Sequence, residues 1–200
     1  MHIIQRKIKD RKVLLLIKTI LANHKMEILG KGMPIGNLTS QFFANVYLNE
    51  LDRFVKHRLK AKYYIRYVDD FVILHRDRVV LEKWREGIDD FLKRELKIQL
   101  HKEKTRIIPL EKGVTLLGFR VFYHYRLLKR SNTRRIWKRI EKLGRRYGDG
   151  NISKEKALQS LDGWLAYACF ANTYALRKRV SQRFEELSGL QVSATSAKAT

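Results

Sequence analysis

Residues 63–74 of the chain read Tyr63-Tyr64-Ile65-Arg66-Tyr67-Val68-Asp69-Asp70-Phe71-Val72-Ile73-Leu74. Aromatic and β-branched residues dominate both halves of this stretch, and such residues favour β-strands. We therefore predict a β-hairpin with Asp69 and Asp70 at its turn. Two-residue hairpin turns favour Asn-Gly or Asp-Gly, so a pair of aspartates departs from the local rule. A departure of this kind inside a strong β pattern is typical of a functional site.

The two adjacent carboxylates favour a divalent cation. Two negative charges about 4 Å apart repel each other by about 1 kcal/mol in water, and by more near a protein surface. A cation between them reverses the sign of that interaction, and paired carboxylates are what two-metal phosphoryl transfer uses. Asp69 is the preferred ligand because we expect it to end the strand, while Asp70 contacts a metal or supports it indirectly. The alternative is a solvent-exposed acidic turn, and Tyr-Val-Asp-Asp alone leaves both interpretations open.

The charge of the chain indicates a polyanionic partner. Its 200 residues include 43 Lys+Arg against 20 Asp+Glu, which gives a net charge of +23. Nucleic acid is the expected partner, although charge does not separate an enzyme from a basic binding protein. The single cysteine, Cys169, excludes an internal disulfide and a cysteine zinc site. No apolar run reaches the length of a membrane span, so we expect a cytoplasmic protein without membrane contact.

The hydrophobic pattern predicts an α+β fold. Residues 11–21 predict a buried helix that Asp10 caps at its N-terminus. Apolar residues at helical spacing predict a long helix over residues 40–59 and another after Asp77. Between residues 97 and 125 the alternation of apolar and polar residues predicts strands.

The character of the chain changes after Ser131. Periodic apolar residues predict a unit of three helices ending near residue 187. We therefore expect one domain over residues 1–129, a helical domain over 130–187 and a disordered tail over 188–200.

Four motifs then occur in a fixed order along the chain. They are residues 32–51, Tyr67-Val68-Asp69-Asp70, Leu100-His101-Lys102-Glu103-Lys104-Thr105 and Leu116-Leu117-Gly118-Phe119. Together they resemble the reverse transcriptases, the RNA-directed DNA polymerases, and the resemblance covers about residues 1–187. It implies a polymerase palm, in which an antiparallel sheet is backed by two long helices, followed by a three-helix thumb.

The resemblance also implies a reaction and its partners: reverse transcription of an RNA template from a DNA primer with deoxynucleotide triphosphates and two Mg²⁺ ions. Asp69 and Asp70 would hold the metal, and Lys104 would lie near the leaving phosphates. Lys104 is, on an equally good interpretation, one of many solvated basic residues. Contacts with nucleotide and template would fall on Pro34, Ile35, Gly36, Asn37, Gln41 and Tyr67.

Two further sets of residues correspond to the family's contacts with nucleic acid. The primer grip would be Leu117, Gly118 and Phe119, and a glycine inside a strand predicts a bulge or a close backbone approach. The backbone of the duplex would contact the thumb in a sequence-independent way. The residues for this role are Arg130, Arg134, Arg135, Lys138, Arg139 and Lys142.

The segment Ile35-Gly36-Asn37-Leu38-Thr39-Ser40-Gln41 most resembles the reverse transcriptases of diversity-generating retroelements. In that group a β-branched residue at the position of Ile35 accompanies errors at template adenines, and a basic accessory variability protein is a partner. A retron-like or group II intron-type reverse transcriptase is the alternative within the family. The alternative from another class is a non-catalytic basic module that binds nucleic acid.

One element of the family pattern is missing from the sequence. Family members carry a further metal-binding aspartate in an aromatic-rich strand upstream, whereas the acid nearest the start here is Asp10, among basic residues. We therefore expect the two-ion site to lack one ligand and the chain to lack the fingers. A gene fragment and one half of a split enzyme both fit this expectation. Either way, the isolated chain should bind primer–template without polymerising at a useful rate.

Overall fold

The computed structural model describes residues 1–22 and 39–192, which form a mixed α+β fold. The chain divides into two compact units, Met1–Ile107 and Ile108–Thr200, and each is described by itself. The predicted functional boundary at residues 129 and 130 stays a prediction. Most of the predicted disordered tail lies outside the described residues. No helix within the described ranges is long and apolar enough to cross a membrane.

The first unit contains a hairpin and several helices, and it confirms both predicted long helices. Asp77 begins the second of them by accepting a hydrogen bond from the Val79 amide over 2.7 Å, as expected of an N-cap. Each long helix continues into a π-helical turn, at Phe54–Arg58 and at Leu92–Leu96. The elements are α1 (His2–Gln5), α2 (Arg11–Ala22), α3 (Ser40–Arg53), β1 (Tyr63–Tyr67), β2 (Asp70–Leu74) and α4 (Arg78–Phe91).

Helix α2 confirms the predicted helix and its cap. The Asp10 carboxylate accepts hydrogen bonds from the backbone amides of Lys12 and Val13 over 2.8 and 3.1 Å. The predicted burial of this helix is wrong, since Leu15 and Leu16 are 66% and 60% exposed. A run of apolar residues satisfies helical propensity, but whether it is covered depends on the rest of the fold.

The hairpin of β1 and β2 corrects the predicted position of its turn. In the antiparallel register Tyr67 pairs with Asp70, so the two loop residues are Val68 and Asp69. Asp70 is therefore the first residue of β2, and Asp69 lies in the turn and does not end a strand. The turn begins one residue earlier than the aspartate pair.

The core of the first unit lies between the hairpin and the two long helices. Tyr64, Phe71 and Ile73 of the hairpin pack against it. The buried residues of this core are Leu51, Val55, Ala61, Ile88, Leu92 and Leu96. This arrangement places an antiparallel hairpin on two long helices.

The strand predicted from about residue 97 is wrong for residues 97–109, which form no strand. Lys97 adopts a left-handed conformation with φ of +52° and ends the helical segment. Leu100 packs against the core, and its amide donates to the Asp89 carboxylate over 3.1 Å. Leu100 is thus held by side-chain packing and by a side-chain acceptor, which an alternating pattern does not distinguish from strand pairing.

The second unit combines a small antiparallel sheet of order β3-β4-β5 with helices that pack around one core. Helix α5 begins at Arg130, and the Ser153 hydroxyl caps α6 by accepting a hydrogen bond from the Lys156 amide. The elements are β3 (Val114–Leu116), β4 (Phe119–Val121), β5 (Arg126–Leu128), α5 (Arg130–Gly148), α6 (Lys154–Ala168) and α7 (Tyr174–Ser188). The largest fully buried side chains of its core are Ile136, Ile140, Leu161, Leu165, Val180 and Phe184.

Candidate active site and nucleic-acid interface

The hairpin turn presents two accessible carboxylates. Asp69 and Asp70 are both exposed, and Tyr67, which pairs with Asp70, is 57% exposed. Neither carboxylate forms a hydrogen bond or ion pair within the part of the chain that the structure describes. Their oxygens are therefore free to bind a ligand from solution.

Val68 gives the turn an unusual backbone. Its φ is +54°, in the left-handed region that a β-branched residue rarely adopts. A conformation of this kind costs on the order of 1–3 kcal/mol and persists only where neighbouring groups fix it. The strained residue directly precedes Asp69, so the backbone conformation of the turn determines where the Asp69 carboxylate lies.

A hydrogen-bonded network lies behind this turn. Arg66 donates from Nε and Nη2 to the two carboxylate oxygens of Asp52 over 2.7 and 2.6 Å. Its Nη1 donates to the carbonyl of Val68 over 2.6 Å and to the side-chain carbonyl of Asn45 over 3.0 Å. Tyr64 adds a hydroxyl bond to Asp52 over 2.6 Å. Helix α3 is thereby tied to the turn through one arginine whose side chain is 10% exposed.

The network changes the acidity of its members. Partial burial alone raises the pKa of Asp52, but hydrogen bonds from Arg66 and Tyr64 outweigh it and hold the pKa below its ordinary value. Burial and the bond to Asp52 raise the pKa of Tyr64 well above its ordinary value. The bond to Asp52 also raises the pKa of Arg66. Arg66 and Asp52 therefore stay charged and paired at neutral pH.

The remaining predicted residues of the nucleotide site are not joined to the carboxylates. Lys104 is exposed in a turn, where its backbone amide donates to the carbonyl of His101. Among the described residues, the Lys104 side chain forms no hydrogen bond or ion pair with either aspartate. Gln41 is exposed in the first turn of α3. Four predicted residues lie outside the described ranges: Pro34, Ile35, Gly36 and Asn37.

The predicted primer grip forms a tight turn between β3 and β4. Leu116 pairs with Phe119, so Leu117 and Gly118 are the two loop residues, with φ of +51° and +84°. Positive φ at both central positions is the pattern of a type I′ turn, in which glycine is favoured. The predicted bulge at Gly118 is therefore wrong, because the glycine lies in a turn and not within a strand.

Side chains of the protein itself lie close to the backbone at Gly118, and the predicted approach of a primer stays a prediction. Asn132 donates from Nδ2 to the Gly118 carbonyl over 3.2 Å, and the Tyr167 hydroxyl donates to the Leu117 carbonyl over 3.2 Å. A Cβ at Gly118 would lie 2.6 Å from Asn132 Nδ2. The ring of Phe119 also packs on Tyr167, with centroids 4.8 Å apart. The turn is thus fixed to α5 and α6.

Sequence reasoning misses these supporting residues. Arg66 and Asp52 look like ordinary surface charges, and Asn132 and Tyr167 carry no motif. A weak indication exists for Arg66 and Asp52, because Arg66 lies two positions before the loop residue Val68 and Asp52 lies on the preceding helix. For the second pair no local indication exists, because its partners lie 14 and 50 positions away along the chain.

Helix α5 carries the predicted backbone-binding residues on its solvent side. Its buried side consists of Ile136, Ile140 and Gly144, and Arg139 donates to Ser160 Oγ over 2.8 Å. An open cleft of about 460 Å³ between α5 and α6 is lined by Arg135, Arg139 and Trp164, among other residues. The predicted basic residues, all of them exposed, are Arg130, Arg134, Arg135, Lys138, Arg139 and Lys142. Such a face suits a negatively charged backbone.

Comparison with known families identifies the chain. The family described as "Reverse transcriptase (RNA-dependent DNA polymerase)" matches residues 3–121, a range that includes both the acidic hairpin and the turn at Gly118. The chain belongs to the reverse transcriptase family. This result confirms the resemblance found in the sequence.

A curated relative of this reverse transcriptase chain is Protein YkfC of Escherichia coli (strain K12). The two are 27% identical over 158 residues, a match that covers 60% of this chain and 42% of that protein. The chain therefore matches less than half the length of this relative.

Proposed function

We propose that this chain supplies the catalytic hairpin, primer grip and thumb of an RNA-directed DNA polymerase. The observation that carries the proposal is the exposed pair Asp69 and Asp70 on a tight turn, in a hairpin packed on two long helices. In this assignment the hairpin and its helices form the palm of residues 1–129. Residues 130–187 form the thumb.

The donor set fits Mg²⁺. Proteins commonly hold this ion through one or two carboxylates together with substrate phosphates and waters. Asp69 and Asp70 would hold it, and the described residues contain no cluster of three or more acids, histidines or cysteines that would complete a protein cage. When bound, the metal would supply positive charge to the attacking primer hydroxyl and to the reacting phosphates.

The other residues position the substrates. Tyr67, which pairs with Asp70, is 57% exposed, and it would pack against the primer end. Lys104 would bring positive charge to the leaving pyrophosphate. The turn of Leu117, Gly118 and Phe119, which α5 and α6 hold in place, would support the primer strand. The exposed basic side of α5 would follow the phosphates of the duplex without reading sequence.

The subtype that we propose is the diversity-generating retroelement enzyme, on the strength of the Ile35 to Gln41 motif. Ile35 would then contribute to errors at template adenines, and Gln41 would contact template or nucleotide. The partner in that setting would be a basic accessory variability protein. A retron-like or group II intron-type enzyme stays the alternative within the family.

A two-part experiment tests the proposal. A fluorescent primer–template titrated into the purified chain should bind, while primer extension with Mg²⁺ and deoxynucleotides should fail for want of further metal ligands. Absence of binding would contradict the nucleic-acid role, and clean extension would contradict the inactivity of the isolated chain.

The second part tests catalysis. A chimaera in which this chain replaces the matching region of an active reverse transcriptase should extend the primer. The D69N and D70N versions should bind primer–template as tightly as the chimaera and lose extension. A chimaera that binds nucleic acid but has no carboxylate-dependent extension would favour a non-catalytic binding module, which the small ligand set of the described residues also allows.

A further inference from the structure

The hairpin turn requires an external support that the strands do not supply. Val68 is held at φ of +54°, and the carbonyl of Val68 belongs to the same planar peptide as the amide of Asp69. A group that fixes this carbonyl also fixes the plane from which the Asp69 side chain departs. The group bonded to it is the guanidinium of Arg66.

Arg66 is itself held by two residues of α3. Asp52 and Asn45, both on α3, accept three hydrogen bonds from it, and its side chain is only 10% exposed. The planar fork of arginine directs several donors at fixed angles, so one side chain can satisfy the carboxylate, the amide and the turn carbonyl together. A lysine, with a single ammonium group, cannot reproduce this geometry.

We propose that Arg66 is a positioning residue for the catalytic turn: anchored on α3 by Asp52 and Asn45, it fixes the Val68–Asp69 peptide and so directs the carboxylates of Asp69 and Asp70 toward the metal. This inference rests on the proposed function, because it takes the two carboxylates as metal ligands. Neither aspartate bonds to Arg66, so its effect passes through the backbone.

The sign of one measurement separates positioning from simple electrostatics. A positive charge near a cation site weakens cation binding, so removal of Arg66 would strengthen binding if charge alone mattered. If Arg66 orients the ligands, its removal weakens binding in spite of the lost repulsion. Residues that orient metal ligands typically contribute about 10–100-fold in affinity.

The metal experiment uses Tb³⁺ luminescence excited through tyrosine, since Tyr67 lies beside the carboxylates. The D69N/D70N chain defines the signal that does not come from this site. We expect R66Q and R66K each to bind Tb³⁺ at least about fivefold more weakly than the wild type. The matched control is Y64F, which removes another hydrogen bond to Asp52 but leaves the bond to Val68, and it should keep wild-type affinity.

A second experiment needs no metal. Hydrogen exchange measured by mass spectrometry on peptides covering residues 67–71 should be faster in R66K than in the wild type and unchanged in Y64F. Exchange in peptides from the middle of α3 should be equal in all three chains, which shows that each variant is folded. If R66Q fails to fold, the exchange rates of R66K alone still decide whether Arg66 fixes the turn.

The outcomes distinguish the positioning role of Arg66 from the assignment of Asp69 and Asp70 as metal ligands. Unchanged exchange over the turn in folded R66K overturns the positioning role. So does carboxylate-dependent Tb³⁺ binding that stays equal or becomes tighter in R66K. A wild-type chain with no carboxylate-dependent Tb³⁺ signal contradicts the metal assignment of the proposed function, whereas the exchange result still decides whether Arg66 fixes the turn.

Discussion

The side-chain amide of Asn132 donates to the carbonyl of Gly118 over 3.2 Å, and this bond joins the β3–β4 turn to the first helix of the second unit. The same amide donates to the Tyr167 hydroxyl over 3.0 Å. The turn therefore has a fixed position on α5 and α6, and a change of shape at Gly118 must disturb both side chains.

The first prediction concerns Gly118→Ala. We expect it to lower the free energy of unfolding by about 2–5 kcal/mol, because alanine is strained at φ of +84° and its Cβ would overlap Asn132 and Tyr167. Urea denaturation measures the change. Gly163→Ala, in the middle of α6, is the control and should be neutral or slightly stabilising, since among the described residues nothing beyond the neighbouring helix backbone lies within 4 Å of the added Cβ. Equal effects at the two positions would contradict the close packing at the turn.

The second prediction concerns the basic side of α5. Replacement of Arg134 or Lys138 by glutamine should weaken primer–template binding and reduce the slope of log affinity against log salt by about one unit each. Fluorescence anisotropy at several salt concentrations measures both. Arg183→Gln is a control on α7, because Arg183 already pairs with Glu186 over 2.9 Å, and its slope should match the wild type. An unchanged slope in the α5 variants would show that this side does not contact phosphate.

The third prediction is a pH dependence. The folded pKa of Asp52 lies below its ordinary value, so the charged form of Asp52 stabilises the fold at higher pH, and this contribution is lost as pH falls through the folded pKa. We expect stability to fall less steeply with acid in D52N than in the wild type, and to an intermediate extent in Y64F. Thermal unfolding between pH 7 and about pH 3 measures the series. Parallel curves of thermal stability against pH for the wild type and D52N would contradict a lowered pKa of Asp52 in the folded state.

The fourth prediction concerns fidelity and follows from the proposed subtype. Ile35→Gln, placed in a complete enzyme, should lower the error rate at template adenines, with little change at other template bases. Sequencing of complementary DNA from a defined template measures both rates, and the other bases are the internal control. An unchanged error rate at template adenines would contradict the proposed role of Ile35 in these errors.

The sequence by itself determined the family, the acidic hairpin, both long helices and the basic segment 130–142. These features depend on residue type and short-range spacing: period 3.6 for α3 and α4, β-branched and aromatic runs for β1 and β2, and motif order for the family. Local chemistry was also sufficient for the cap at Asp10 and for the start of α4 after Asp77.

The tertiary structure alone decided what those elements face and how the turns are held. The hairpin register moved the loop to Val68 and Asp69, and the predicted burial of α2 and the strand after residue 97 did not hold. The support of the turns depends on Arg66 meeting Asp52 and on Tyr167 meeting Leu117, pairs separated by 14 and 50 positions. No short-range pattern specifies such contacts, because only the packing of whole helices brings these side chains together.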